Sequence, residues 1–460
     1  MRLRTEFDIQ EQQGKLAIVR RRSNDGALAM VAQVAEPMAR LIRRLQGRDF
    51  EESDISAFLQ KEYAVNATQA DADAVSICME WRRLRMLEGD FGSQEKVRNA
   101  MLFLLREALW GKGDMPEGVF PLTVQEWISV YLMAGLQAVA GTIFDGLSVL
   151  PKNMLPPERL LAHWRKDVGH MERANLIADA AIFNLQKLFE EGGIPMMVLK
   201  GQGVGSLYRR PFFRQSGDID LYFGSMEAAV KAADWIESKG MHVNRGGDDD
   251  SNFGYMGVFI EIHSRIIEQH HFFERKYLRK LEAEAFAHGI EVNRDKVGFR
   301  MPSAEMNHLL QSTHILKHLL NEGIGLRQLC DAAICLHALK GQTDAGRLVE
   351  MMKRCDVYRW SQLLYALLVK YLGLPEEDLP MQTRENPDAL MEEIWTTGNF
   401  GIMDDRWGDR PEGEWGGRTF TAKRIFTKMR HFGKYAKMEV FCFMLELCFG
   451  SIIKSVKKRK

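Results

Sequence analysis

Apolar and polar residues alternate over Ile219-Asp220-Leu221-Tyr222 and again over Phe259-Ile260-Glu261-Ile262-His263. This period of two predicts half-buried strands. In the first strand Asp218 and Asp220 project to one side while Ile219 and Leu221 enter the core. The shorter apolar run Ile194-Pro195-Met196-Met197-Val198-Leu199 predicts a preceding strand. It ends in the glycine-rich turn Lys200-Gly201-Gln202-Gly203-Val204-Gly205, after which Ser206-Leu207-Tyr208-Arg209-Arg210 continues as a helix. Spacing of three and four residues predicts helices over 97–110, 124–147 and 158–191, with breaks at Pro121, Pro151 and Pro156. After Pro302 the same spacing predicts helices over 306–320, 326–339, 345–352 and 360–371.

The first ninety or so residues read as a separate unit. Two short strands, 7–9 and 16–19, flank a Gln-Gln-Gly turn, and helices follow over 37–45, 54–63 and 69–87. Pro37 suits a first helical turn, Ser53-Asp54 a helix start, and Gly47 and Gly89 helix ends. A hairpin and three helices make a winged-helix-like plan, and the polar stretch 88–93 is the natural boundary. The chain is therefore read as α+β, with units 1–92, 93–300 and 301–460, the last of them helical.

Chemistry concentrates on the alternating strands. Adjacent carboxylates repel, and the usual offset is a divalent cation, with oxygen ligands favouring Mg²⁺ or Mn²⁺. Asp218, Asp220 and Glu261 are the candidate catalytic and metal-binding residues. Glycines in the 200–205 turn let backbone N–H groups approach a phosphate. The turn is not a Walker A loop, since no Lys-Ser or Lys-Thr follows its last glycine. Lys200, Gly201, Gln202, Arg214 and Gly217 are the candidate nucleotide-binding residues; Lys200 would act as a point charge and Arg214 as a planar fork.

Plainer readings stand beside these. Arg214 can pair structurally with an aspartate, Lys200 can be a solvated strand-end residue, and His263 suits packing or hydrogen bonding better than metal ligation. Asp248-Asp249-Asp250-Ser251-Asn252 reads as a polar loop, because its spacing fits no EF-hand. His314 and His318 stand one helical turn apart but lack the Glu of a His-Glu-x-x-His zinc motif. Arg327 and Asp331 have the spacing of an i,i+4 ion pair. With His263 they complete the set of pocket candidates.

The string Leu199-Lys200-Gly201, Leu207-Tyr208, Pro211, Arg214, Gly217-Asp218-Ile219-Asp220-Leu221 and Glu261-Ile262-His263 resembles the uncharacterised bacterial nucleotidyltransferase family of the DNA polymerase β-like superfamily. The resemblance extends from near Gln125 through Gly323-Ile324-Gly325-Leu326-Arg327-Gln328-Leu329-Cys330-Asp331 and, more weakly, to Gly398-Asn399-Phe400-Gly401. It implies a mixed-sheet core with flanking helices and metal-dependent transfer of an NMP from an NTP donor to a hydroxyl of a small molecule or peptide, releasing pyrophosphate. It also implies that the helical half closes over the nucleotide. The superfamily's usual Gly-Ser pair is here Gly201-Gln202, with Lys200 ahead of it. The first ninety residues, with Leu41-Ile42-Arg43-Arg44-Leu45-Gln46-Gly47, Phe50-Glu51-Glu52-Ser53-Asp54-Ile55 and Leu87-Glu88-Gly89, resemble PqqD-like domains. That resemblance implies a module that takes a peptide as an added strand. An inactive peptide-binding scaffold, and a toxin–antitoxin-type transferase acting on a protein or tRNA, are the alternatives from other classes.

Composition narrows the partners. A net charge of zero provides no overall basic field for a nucleic-acid backbone, so a nucleic-acid acceptor is disfavoured. Six scattered cysteines without a Cys-x-x-Cys pair suggest neither zinc nor a disulfide framework, and cytoplasm is the expected compartment. The apolar stretch 438–453 and the basic 454–460 read as a last core helix with a solvated tail, peripheral attachment to an anionic membrane surface being the other reading.

Overall fold

The computed structural model describes residues 1–12, 14–21, 28–84, 86–88, 95–111, 113–246, 251–294, 297–407 and 414–445. Arg22, the 89–93 part of the expected boundary, Asp248 to Asp250, and 446–460 with its basic tail lie outside them.

The chain opens with β1 (Phe7–Gln12), β2 (Lys15–Arg21) and β3 (Leu28–Gln33), an antiparallel sheet in that order. Helices α1 (Glu36–Leu45), α2 (Glu52–Tyr63) and α3 (Ala67–Arg83) follow. The expected hairpin is thus extended by a third strand, whose Leu28 and Met30 stay exposed. Its alternation is weak, which is why the hydrophobic pattern does not announce it. Phe7, Ile9, Leu41, Phe50 and Trp81 belong to a core that this region builds for itself.

Next come α4 (Glu95–Trp110), α5 (Val124–Leu136), α6 (Ala140–Gly146) and the 34-residue α7 (Glu158–Glu191). The single helix predicted over 124–147 is broken at Ala138, whose φ is +57°. The break lets Gln137 serve a later helix, Leu326–Leu339. Its side-chain oxygen accepts from the Leu326 N–H at 3.0 Å and its carbonyl from the Arg327 N–H at 3.3 Å. First-turn N–H groups lack partners within their own helix. A tertiary contact therefore decides this break.

The central sheet contains β4 (Met197–Leu199), β5 (Ile219–Tyr222), β6 (Asn244–Arg245), β7 (Ser251–Tyr255) and β8 (Val258–His263), in the order β4-β5-β8-β7-β6. Only β5 and β8 pair in parallel; the other neighbours are antiparallel. α8 (Lys200–Gly205) links β4 toward β5, and α9 (Met226–Ser238) follows β5. The predicted helix over 206–210 is absent: the glycine-rich stretch itself winds into α8, and 206–210 is turn and bend. Gly203 and Gly205 sit in close packing, since a Cβ would stand 3.3 Å from the Val198 carbonyl oxygen and from Arg294 Nη1 respectively.

Ile219, Leu221, Ile260 and Ile262 pack on one side of the sheet with Ile182 and Phe189 of α7 and Ile236 of α9. Each such burial is worth roughly 1.5–3 kcal/mol. A one-residue slip of β5 or β8 would turn all of these residues out. That burial therefore locks the register and commits the opposite face to Asp220 and Glu261.

After α10 (Arg275–Ala287), the hairpin β9 (Ile290–Arg294) and β10 (Val297–Met301) leads into a helical half. It consists of α11 (Ala304–Asn321), α12 (Leu326–Leu339), α13 (Ala345–Arg354), α14 (Tyr358–Leu372), α15 (Asp388–Thr397) and α16 (Glu414–Phe432). The molecule is a mixed α/β structure, a mixed sheet with flanking helices. Among the described residues no helix is long and apolar enough to cross a membrane.

Candidate active site

Parallel pairing of β5 with β8 sets Asp220 opposite Glu261 and Tyr222 opposite His263. Paired residues share a face, so two acids and an imidazole converge. One ligand atom from each of Asp220, Glu261 and His263 lies within 4.8 Å of the others. His263 Nε2 donates to Asp220 Oδ1 at 2.6 Å and stands 3.3 Å from Glu261 Oε2. Lys200 Nζ reaches the same oxygen, Asp220 Oδ1, at 3.1 Å.

Asp218 precedes β5 and is exposed, at the rim of the cluster. The structure thus groups Asp220 and Glu261 with His263 at the centre and places Asp218, expected to bind metal beside Asp220, at the edge. His263, which the sequence suits to packing or hydrogen bonding, is hydrogen-bonded into the group. The two carboxylates supply oxygen ligands of the kind that suit Mn²⁺ or Mg²⁺, and the imidazole would add a nitrogen ligand only once its Nε2 proton leaves.

Burial and charge pull these groups apart in proton affinity. Although Asp218 is open to solvent, the protein packed around its carboxyl desolvates it in part and raises it, and the charges of Asp220 and Glu261 push it further. Burial would raise Asp220 too, but Lys200 and His263 outweigh it and hold Asp220 well below the usual carboxylate range. Burial opposes a charge on His263, yet hydrogen bonds to Asp220, Glu261 and Glu268 raise the imidazole well above its ordinary value. Lys200 is raised in the same manner, Asp220 and Glu268 overcoming its desolvation. Its φ of +39° is a strained backbone for a residue with a side chain.

Two participants carry no sequence signal. Glu268, five residues past β8, stands 3.4 Å from His263 Nδ1 through Oε1, and its Oε2 accepts from Lys317 Nζ of α11. His314 of α11 is held well below its ordinary value by burial and by nearby Lys200. Its Nε2 lies 3.1 Å from that of His318, whose Nδ1 stands 3.5 Å from Glu322 Oε2. Neither Glu268 nor Lys317 belongs to a motif, and only the docking of α11 brings them in.

The remaining candidates go elsewhere. Arg214, expected at phosphate, is buried with its fork on Asp331: Nε donates to Oδ1 at 2.7 Å and Nη2 to Oδ2 at 2.6 Å. Tyr208 Oη also donates to Asp331 Oδ1, at 2.7 Å. The i,i+4 ion pair expected between Arg327 and Asp331 is not formed. Asp331 takes Arg214 and Tyr208, and Arg327 Nη1 donates to the Gln215 carbonyl at 3.1 Å. Gln202 is buried behind the site, its side-chain oxygen accepting from Arg294, whose Nε is 3.2 Å from Asp179. Gly201 lies close enough to Asp218 that a Cβ would stand 3.5 Å from its carbonyl oxygen. Gly217 is exposed, with open space where a side chain would go.

A model of an uncharacterised nucleotidyltransferase family matches residues 123–373, a span that contains β4, β5, β8, α11 and α12. No curated protein and no solved structure matches the chain.

Proposed function

The chain belongs to the uncharacterised nucleotidyltransferase family, and from that membership we propose metal-dependent transfer of an NMP from an NTP to a hydroxyl of a small molecule or peptide, with pyrophosphate released. The observation that carries this reading is the register of Asp220 against Glu261 on the parallel β5–β8 pair, with His263 completing a cluster within 4.8 Å. Asp220, Glu261 and His263 would hold Mg²⁺ or Mn²⁺, with Asp218 at the rim; the ion supplies positive charge against the phosphates when bound.

The chain's own residues divide the rest of the work. Glu261 keeps a side chain 34% exposed while Asp220 is at 7%, so Glu261 is the carboxylate an incoming hydroxyl can reach. It takes the hydroxyl proton as the acceptor oxygen forms a bond to the α-phosphorus and the bond to pyrophosphate breaks. Lys200 and Lys317 bring positive charge to the side of the cluster where phosphate oxygens would be neutralised. Arg214, through Asp331, braces the segment leading into β5.

For the acceptor, the N-terminal unit is proposed to be a PqqD-like module, 1–92, ahead of a core of 93–300 and the helical 301–460. Strand β3 lies at an edge of its sheet and exposes Leu28 and Met30, which supports capture of a peptide as a further strand.

Calorimetric titration of each NTP, with Mg²⁺ or Mn²⁺, into the wild type and into Asp218→Asn/Asp220→Asn tests the reading. Saturable binding of one nucleotide, lost in the double variant, is expected. No binding by any nucleotide to the folded wild type would defeat it.

A further inference from the structure

An imidazole aimed at two carboxylates needs something to stop it turning over. His263 is joined to its backbone through bonds that allow the ring to rotate, and a flip would exchange Nε2 and Nδ1 for ring carbons. On the cluster side Nε2 is shared between Asp220 at 2.6 Å and Glu261 at 3.3 Å. The opposite nitrogen, Nδ1, faces Glu268 Oε1 at 3.4 Å. The second Glu268 oxygen is taken by Lys317. His263 is almost wholly buried, whereas Glu268 and Lys317 keep about a third of their side chains in solvent. A line of contacts therefore runs from the helical half, through Lys317, Glu268 and His263, to the paired acids.

We propose that Glu268 is a positioning residue for the cluster: by holding His263 Nδ1 it aims Nε2 at Asp220 and Glu261, and Lys317 of α11 anchors Glu268 in its turn. This rests on the metal-binding reading of the cluster given above. A carboxylate behind a histidine fixes ring orientation and raises basicity at the nitrogen facing a metal. The arrangement also makes completion of the site depend on α11 being docked against the loop after β8. The family match places these two elements in one span, 123–373, as this dependence requires.

The test is Mn²⁺ affinity of the full chain without nucleotide, read from the free-ion electron paramagnetic resonance signal, with circular dichroism to establish that each variant is folded. Wild type is expected to bind. Glu268→Leu is expected to lose affinity on the order of 10- to 100-fold. Glu268→Gln, which keeps an oxygen to accept from Nδ1–H, is expected to recover most of it, whereas Glu268→Met, of similar length but without that oxygen, is expected not to, which separates hydrogen bonding from packing. Lys317→Met, at a partly exposed position, is expected to lose a few-fold and still decides the matter if Glu268→Leu does not fold. Wild-type affinity in a folded Glu268→Leu, or in Lys317→Met where Glu268→Leu is unfolded, overturns the proposal alone. A wild type that binds no Mn²⁺ removes the metal reading and this proposal together.

Discussion

The Arg214–Asp331 pair and the Asp220–Glu261–His263 cluster are both groups of buried charge, and their first members lie six residues apart in the chain. In the first, a planar fork meets a carboxylate at 2.7 and 2.6 Å and a tyrosine hydroxyl occupies the same acid. The charges are matched one to one. In the second, Asp218 and Glu261 lie beside a salt-bridged Asp220, and the Asp218 carboxyl is raised by desolvation and then by the charges of Asp220 and Glu261. The comparison separates two uses of buried charge. A matched pair holds two segments together, whereas an excess of carboxylates opening to solvent at Asp218 leaves attraction available for a cation.

Substitutions should therefore act differently on the two groups. Glu261→Gln, at a side chain 34% exposed, is expected to lower nucleotidyl transfer by roughly 10²–10⁴-fold with little change in thermal unfolding; an equal loss of folding and activity would erase the distinction. Arg214→Met leaves Asp331 buried without its cation and should destabilise the fold by roughly 3–5 kcal/mol, read by urea unfolding. An Arg214→Met protein as stable as wild type would show the pair to be expendable.

A third buried group sharpens the contrast from the neutral side. His308 of α11 sits beside Thr343 with Nε2 2.9 Å from Oγ1, and burial lowers it to about 4 from 6.5. The folded chain keeps it neutral while the unfolded chain takes up a proton below pH 6.5. The unfolded state binds more protons between these values, so stability rises with pH there and is lost as pH falls from 6.5 toward 4. The loss should approach roughly 3 kcal/mol, and His308→Gln should flatten that limb in denaturant titrations at each pH. The smallest effect is expected at Gly217, which meets nothing within 4 Å of an added Cβ. Gly217→Ala should stay within about 0.5 kcal/mol of wild-type stability. A rise in the KM for NTP would mark it as a nucleotide contact, and an unchanged KM would remove it from the site.

Much of this was legible from residue order. The period-two strands around Asp220 and Glu261 stand where the alternation predicts, because one face of each is strongly apolar. Helices such as Leu326–Leu339 and Glu158–Glu191 match their predicted spans for the same reason. The errors have a common cause. Ala138 breaks a periodic helix to free Gln137 for Leu326, and α8 stands where a turn is expected, its glycines close to Val198 and Arg294. Arg327 loses Asp331 to Arg214, 117 residues away from Asp331 in the chain.

Sequence alone determined strands β4, β5 and β8, the apolar faces of β5 and β8 and the acids on their opposite faces, since those follow from side-chain alternation and local burial. Tertiary structure decided which acid is central, which basic residues are committed to pairing, and that Glu268 and Lys317 meet His263. Those choices depend on distances between segments far apart in the chain, and local periodicity carries no information about such distances.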